Sequence, residues 1–148
     1  MKEHNQLNTA NEKLTAFLTK EKLRKTPERS AILKLFYDTE KILSADTIFE
    51  IMKNNYRVSL ATIYNTIEVL LACDLIVKHQ FSQSQTFYER AYGNNLYFYK
   101  ICTTCGKIKK FTDKNIRIAL VSKSDSNFTT RHQMLYIYGL CNNCEKNK

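Results

Sequence analysis

Four of the five cysteines fall into two C-x-x-C pairs, Cys102-Thr-Thr-Cys105 and Cys141-Asn-Asn-Cys144. A gap of two residues lets both thiolates of a pair reach one ion, and a tetrahedron of four thiolates with no open position is the arrangement of a structural zinc. Gly106, directly after the first pair, and the small polar residues within each pair suit a tight knuckle turn. The 35 residues between the pairs exceed the gap of a simple zinc ribbon, so a strand–helix–strand unit must be clamped between the knuckles. One structural zinc per chain is the expectation, with dithiol redox chemistry as the other use of such thiols. Cys73 follows an apolar stripe and reads as a small buried side chain.

Two enzyme classes can be tested against the same residues. A zinc deaminase needs P-C-x-x-C and H-x-E, yet Pro27 precedes neither pair and none of His4, His79 and His132 is followed by x-Glu. A thioredoxin-like oxidoreductase carries one C-x-x-C early in a βαβ unit. Here two pairs sit late, behind a helical half. A zinc-dependent or dithiol enzyme is therefore the weaker reading, and no catalytic residue is assigned.

The elements that must position these groups follow from periodicity. Leu14, Phe17 and Leu18 place an amphipathic helix in residues 7–22. Thr26-Pro27 reads as an N-cap with proline at the first helical position. The helix that follows, to Asp38, turns Ile32, Leu33, Leu35 and Phe36 to a core. Ser44 opens a third helix with Ile48, Ile51 and Met52 inward, Tyr56-Arg57-Val58 is short and β-prone, and Ser59 caps a fourth helix to about Cys73. Residues 75–81 and 86–90 flank a polar Ser82–Gln85 turn and predict a hairpin. Short helices followed by a hairpin outline a winged helix-turn-helix. Beyond it, 96–101, 107–111 and 134–138 read as strands and 113–121 as a helix, so the fold class is α+β.

The fourth helix carries the recognition argument. At 100° per residue, Leu60, Ile63, Ile67, Leu70 and Leu71 share one sector of ~100°. Ala61, Thr62, Asn65 and Glu68 take the opposite face, with Tyr64 on the boundary and Ser59 at its head. A small, neutral, hydrogen-bonding face of this kind can lie in a major groove and meet base edges, thymine methyls and phosphates.

Charge agrees with an acidic partner. The chain has 148 residues, a net charge of +9 and a pI near 9.3. Residues 1–90 hold 13 Lys/Arg against 11 Asp/Glu, whereas 91–148 hold 10 against 3. That step, with Gly93-Asn94-Asn95, predicts two domains joined near 90–95: a winged helix over 1–91 and a smaller α/β domain over 95–148. Hydrophobic residues at 43% and charged residues at 25% exclude a disordered chain, and Gly 3 with Pro 1 argue against a turn-rich sandwich or a Gly-looped nucleotide binder. The longest apolar run, Val69–Cys73, is far short of the ~18 residues of a membrane span. With no apolar leader visible, a cytoplasmic protein with no membrane partner is expected.

Taken in order, Leu23–Leu33, Ser44-Ala45, Leu60-Ala-Thr-Ile-Tyr-Asn-Thr-Ile67, Ile101-Cys-x-x-Cys-Gly-Lys-Ile108 and Leu135-Tyr-Ile-Tyr-Gly-Leu-Cys-x-x-Cys144 make a sequence that resembles the ferric uptake regulator family of metal- and peroxide-responsive repressors. The likeness runs over roughly residues 10–146. It implies an N-terminal winged helix, a C-terminal dimerisation domain holding zinc on Cys102, Cys105, Cys141 and Cys144, and a homodimer on an AT-rich palindromic operator in double-stranded DNA. It also implies that Tyr64 contacts thymine, that Arg24 or Lys25 enters a minor groove, and that Arg29 lies near phosphate. Asn65 stands where several members have a DNA-contacting arginine.

The family's sensing machinery is largely replaced. Members carry a His-rich segment before the first C-x-x-C, where this chain has Asn95-Leu-Tyr-Phe-Tyr-Lys100. The His ahead of Ser-Ala aligns with Ile42, an acidic ligand with Arg117, and a further His with Gln133, one position after His132. Glu89, at the end of the wing, survives. A divalent cation wants several oxygen or imidazole ligands, and a guanidinium among them repels it. The resemblance therefore implies a degenerate iron/manganese site, with Glu89, His79 and His132 as the residues left to form a weaker one. A haem- or redox-responsive regulator on the same fold is the alternative, with Tyr97, Tyr99, His79 and His132 as haem ligands.

Overall fold

The computed structural model describes residues 2–91, 96–123 and 125–148. The chain divides into two compact units, Met1–Ala91 and Tyr92–Lys148. The expected joint at Gly93-Asn94-Asn95 lies outside the described residues.

The first unit runs α1 (Lys2–Lys20), α2 (Pro27–Asp38), α3 (Ala45–Met52), α4 (Leu60–Ala72), β1 (Ile76–Ser82) and β2 (Gln85–Arg90). Its starts and stops are chemical. The Thr26 side chain accepts from the Arg29 N–H, Ser44 from Thr47 and Ser59 from Thr62, each satisfying an orphan donor of the first turn. Lys22 at φ 55° ends α1, with Leu23 N–H bonded to the Leu18 carbonyl at 2.8 Å. Asp74 at φ 53° does the same for α4 through Leu75 and Leu70 at 2.9 Å.

One apolar cluster holds the unit together. Leu14 and Leu18 of α1 join Ile32, Leu33 and Phe36 of α2, Ile48 and Met52 of α3, and Ile63, Ile67 and Leu70 of α4. Periodicity misplaced two side chains: Ile51 and Leu60 are 45% and 40% exposed. Each sits at a helix end, where no further turn continues the buried stripe. Phe17, Leu35 and Leu71 are half-buried at the edge of the same cluster. Cys73 is buried, as expected.

β1 and β2 pair antiparallel, with Val77 opposite Glu89 and His79 opposite Phe87. The β-prone Tyr56-Arg57-Val58 forms no strand. Instead Leu43 exchanges two 2.8 Å backbone hydrogen bonds with Tyr88, extending the hairpin by one bridge.

The second unit runs β3 (Leu96–Cys102), β4 (Ile108–Lys110), α5 (Lys114–Val121), β5 (Gln133–Gly139) and α6 (Asn142–Lys146). Its sheet has the order β4-β3-β5, antiparallel on one side of β3 and parallel on the other. The stretch from β4 to β5 is the strand–helix–strand unit that the long inter-cysteine gap demands. Tyr97, Phe98, Tyr99 and Ile101 of β3 are buried, whereas α5 buries no residue at all. Asp113 caps α5 by accepting from the Ile116 N–H at 2.9 Å. The short α6 was not expected, because five residues hold too little periodicity to read.

Candidate metal centre and nucleic-acid interface

The sheet brings the two cysteine pairs to one place. Cys102 ends β3, and the chain turns through Cys105 and Gly106, whose φ of 71° is a conformation glycine adopts without strain. The Gly106 N–H closes the knuckle on the Cys102 carbonyl at 3.0 Å. Parallel pairing sets Gly139, at the end of β5, beside Cys102, so that Cys141 and Cys144 arrive at the same edge. Cys141 caps α6 and Cys144 lies within it.

All four sulfurs lie within 4.8 Å of one another, and Cys105 Sγ is 3.7 Å from Cys141 Sγ. Zinc–sulfur bonds of about 2.3 Å in a tetrahedron require sulfur–sulfur edges of about 3.8 Å. The donor set fits zinc. Backbone N–H groups of Cys105 and then Cys141 draw the Cys102 thiol down to about 6, and those around Cys144 lower Cys141. Hydrogen bonding to the Cys141 and Cys105 sulfurs pushes Cys144 up to about 12, and metal binding to such thiols proceeds with release of their protons.

The outward face of α4 matches the sequence expectation. Ala61, Asn65 and Glu68 are exposed, Thr62 is half-buried, and Tyr64 is 48% exposed. Ser59 and Thr62 share a 3.1 Å hydroxyl contact at the head of the helix. Burial raises the phenol of Tyr88 above its usual range, followed by the nearby Tyr64 and Glu68, and Tyr64 and Tyr88 line one groove. Arg24 and Lys25 stand exposed on the loop before α2. Arg29 donates to the Arg24 carbonyl and so fixes the loop that carries both cations.

His79 and Glu89 meet inside the hairpin. The imidazole Nε2 is 2.7 Å from Glu89 Oε1, and the residues are 0% and 1% exposed. His79 also stacks on Phe81 at 5.4 Å between ring centres. The sequence offered both residues but not their pairing. The signal was the hairpin register, which makes 79 and 89 diagonal neighbours. Ile42, Arg117 and Gln133 are half-buried, and His132 is exposed just before β5. Among the described residues, the four cysteines form the one group of three or more His, Cys, Asp or Glu side chains close enough to share an ion.

Known proteins resemble this chain along most of its length. The sequence model of the ferric uptake regulator family matches residues 20–138. The peroxide-responsive repressor PerR of Staphylococcus saprophyticus is 27% identical over 125 residues, 83% of each chain. That of Staphylococcus aureus strain Mu50 is 26% identical over 136 residues, 90% of each. The Helicobacter pylori ferric uptake regulator Fur superposes with a TM-score of 0.72 at 23% identity, over 94% of this chain and 93% of that one. The ferric uptake regulator of Francisella tularensis with iron gives 0.66 at 26%, over 83% and 95%.

Proposed function

We propose that this chain, which belongs to the ferric uptake regulator family, is a dimeric, zinc-stabilised repressor that binds an AT-rich palindromic operator and has lost its iron- or manganese-sensing site. Members of the family are DNA-binding regulators and not enzymes. The observation that carries the reading is α4: a helix capped by Ser59, buried along Ile63, Ile67 and Leu70, that presents Thr62, Tyr64 and Asn65 outward. Zinc on Cys102, Cys105, Cys141 and Cys144 would lock the end of β3 to α6, a structural role that leaves no open coordination position.

Dimerisation is supported by what the second unit leaves uncovered. β5 is an edge strand with Ile137 and Tyr138 exposed at 43% and 49%. On α5, Ile118 and Val121 are 58% and 68% exposed. A second copy would bury these groups, as an exposed sheet edge and an apolar helix face favour. Membership of a family of transcription regulators supports the cytoplasm as the place of work. No helix among the described residues is long and apolar enough to cross a membrane.

Selecting bound duplexes from a random pool, with and without Fe²⁺, Mn²⁺ or haem, tests the assignment. A specific duplex should emerge. Tyr64→Ala should then reduce the preference for that duplex over single-pair variants by about 1–3 kcal/mol, the scale of one mismatched pair. Unchanged preference in competition binding would remove α4 from the recognition role.

The sensing site is proposed to be degenerate because Ile42, Tyr97, Tyr99 and Arg117 stand at expected ligand positions, while Glu89 is already hydrogen-bonded to His79. An ion shifts an equilibrium only through differential affinity for its two states. Micromolar Fe²⁺ or Mn²⁺ added to zinc-loaded protein should change operator affinity by less than about threefold, a coupling below ~0.7 kcal/mol. A tenfold saturable tightening would show instead that a working cation site persists. The haem alternative gains nothing from the geometry: His79, Tyr97 and Tyr99 are all buried.

A further inference from the structure

A cavity of about 540 Å³ opens on one face of the sheet of the second unit. Its lining includes Lys100 on β3, Lys109 on β4 with Lys107 just before it, Ile137 on β5, and Asn142 and Asn143, and it holds no carboxylate. The ladder sets Lys100 directly opposite Lys109 on one side and beside Ile137 on the other, and all three are exposed. Like charges placed directly opposite each other weaken a ladder. Among the described residues, none of the three lysines is in an ion pair. Two of the unit's carboxylates, Asp113 and Asp125, are already engaged by backbone N–H groups of their own loops. Lysine on an edge strand guards against unwanted strand pairing, which accounts for Lys109 on β4. It does not account for Lys100, the single exposed residue of the central strand β3.

We propose that this cavity binds a small molecule carrying adjacent phosphate groups, with Lys100 and Lys109 as its paired phosphate contacts. The proposal stands independently of the reading of α4. Lysine holds phosphate as a compact point charge with rotatable donors, and a polyanion between two ammonium groups replaces their repulsion with attraction to both. Asn142 and Asn143 add neutral hydrogen-bonding groups, and Ile137 offers an apolar wall to whatever the phosphates are attached to. The volume falls within the ~300–1,000 Å³ of small-molecule sites. Zinc on four thiolates would leave an excess of negative charge at the end of the cavity where Cys102 and Cys141 lie. Lys107 stands at that end, its carbonyl accepting from the Cys102 N–H at 2.9 Å, whereas Lys100 and Lys109 face each other two rungs away. Both stand off the β5 edge, so a second copy pairing along β5 does not remove them.

Calorimetric titration of the zinc-loaded full-length chain with magnesium-free ATP, inorganic tripolyphosphate and adenosine tests this, with zinc content checked before and after. ATP and tripolyphosphate should each bind saturably at one site per chain, and adenosine should not bind. Tighter binding of ATP identifies a nucleotide as the ligand, and tighter binding of tripolyphosphate identifies a free polyphosphate. Lys100→Gln and Lys109→Gln should each weaken binding by about tenfold, the loss of one charge-assisted contact. Lys114→Gln, which removes an exposed cation of α5 outside the cavity, should bind as the wild type does. Without ligand, Lys109→Gln should not lower the melting temperature, because it dissolves a like-charge pair. No saturable binding of either polyphosphate, or equal weakening by all three substitutions, would overturn the site. So would faster loss of zinc to a chromogenic chelator from Lys100→Gln and Lys109→Gln without any polyphosphate binding, which would make these lysines partners of the zinc centre instead.

Discussion

Cys144→Ser, or removal of zinc by a strong chelator, should unfold the unit that follows residue 91 while the unit before it keeps its structure. The second unit has little else to hold it. Its buried side chains come almost entirely from β3, α5 buries none, and α6 is a five-residue helix that also buries none. Domains of this size sit near the limit at which a core alone suffices, and metals make up the difference. Structural zinc supplies an apparent binding energy of about 10–16 kcal/mol in small domains of this type, and binding and folding are one equilibrium. Cys102 and Cys105 lie at one end of the β4–α5–β5 excursion and Cys141 and Cys144 at the other, so losing the ion frees both ends. The expected result is release of one zinc per chain to a chromogenic chelator, a dissociated dimer by sedimentation, and lost amide protection over 96–139. Protection in α2 and α4 should persist, because the cluster from Ala10 to Tyr88 lies wholly within the first unit. A Cys144→Ser protein that remains dimeric with an unchanged melting temperature would show that the cysteines serve some other purpose.

How much of this was legible in the sequence depended on the range of the interaction. Local signals carried well. Thr26-Pro27, Ser44 and Ser59 cap helices because a side-chain oxygen meets an N–H two or three residues on, and nothing distant needs to be known. The C-x-x-C spacing likewise fixes its own geometry, and the structure brings all four sulfurs together. Long-range pairings were less visible. Tyr56-Arg57-Val58 has strand-forming side chains and no strand beside it, whereas Leu43, with no strand pattern around it, finds Tyr88. Ile51 and Leu60 obey the helical period yet stay exposed, because periodicity gives direction and not the extent of the packing partner. The uncovered α5 face is a third case: its apolar residues were readable, but their exposure was not.

Glu89→Ala should destabilise the first unit by about 3–5 kcal/mol, the usual consequence of removing one partner from a buried pair. Glu89 is the one regulatory ligand that the family resemblance retains, and its surroundings decide what it does here. It is 1% exposed, it lies 2.7 Å from the Nε2 of a fully buried histidine, and that ring is in turn stacked on Phe81. Replacing it leaves the buried His79 facing a small cavity, with a hydrogen bond lost and nothing of the same shape to fill the space. For a unit of this size the shift corresponds to a melting temperature lower by more than about 10 °C. A carboxylate kept only for a cation would behave otherwise: its loss would abolish the metal response and leave the melting temperature nearly unchanged. A double-mutant cycle separates the two roles. His79→Phe with Glu89→Leu replaces the pair by apolar side chains and should recover most of the stability lost by Glu89→Ala, as buried pairs exchanged whole generally do. Thermal unfolding of the zinc-loaded chain, with amide exchange over β1 and β2 to assign the transition, gives the coupling directly. A coupling near zero, with the hairpin as protected as in the wild-type protein, would return Glu89 to the role of a waiting ligand.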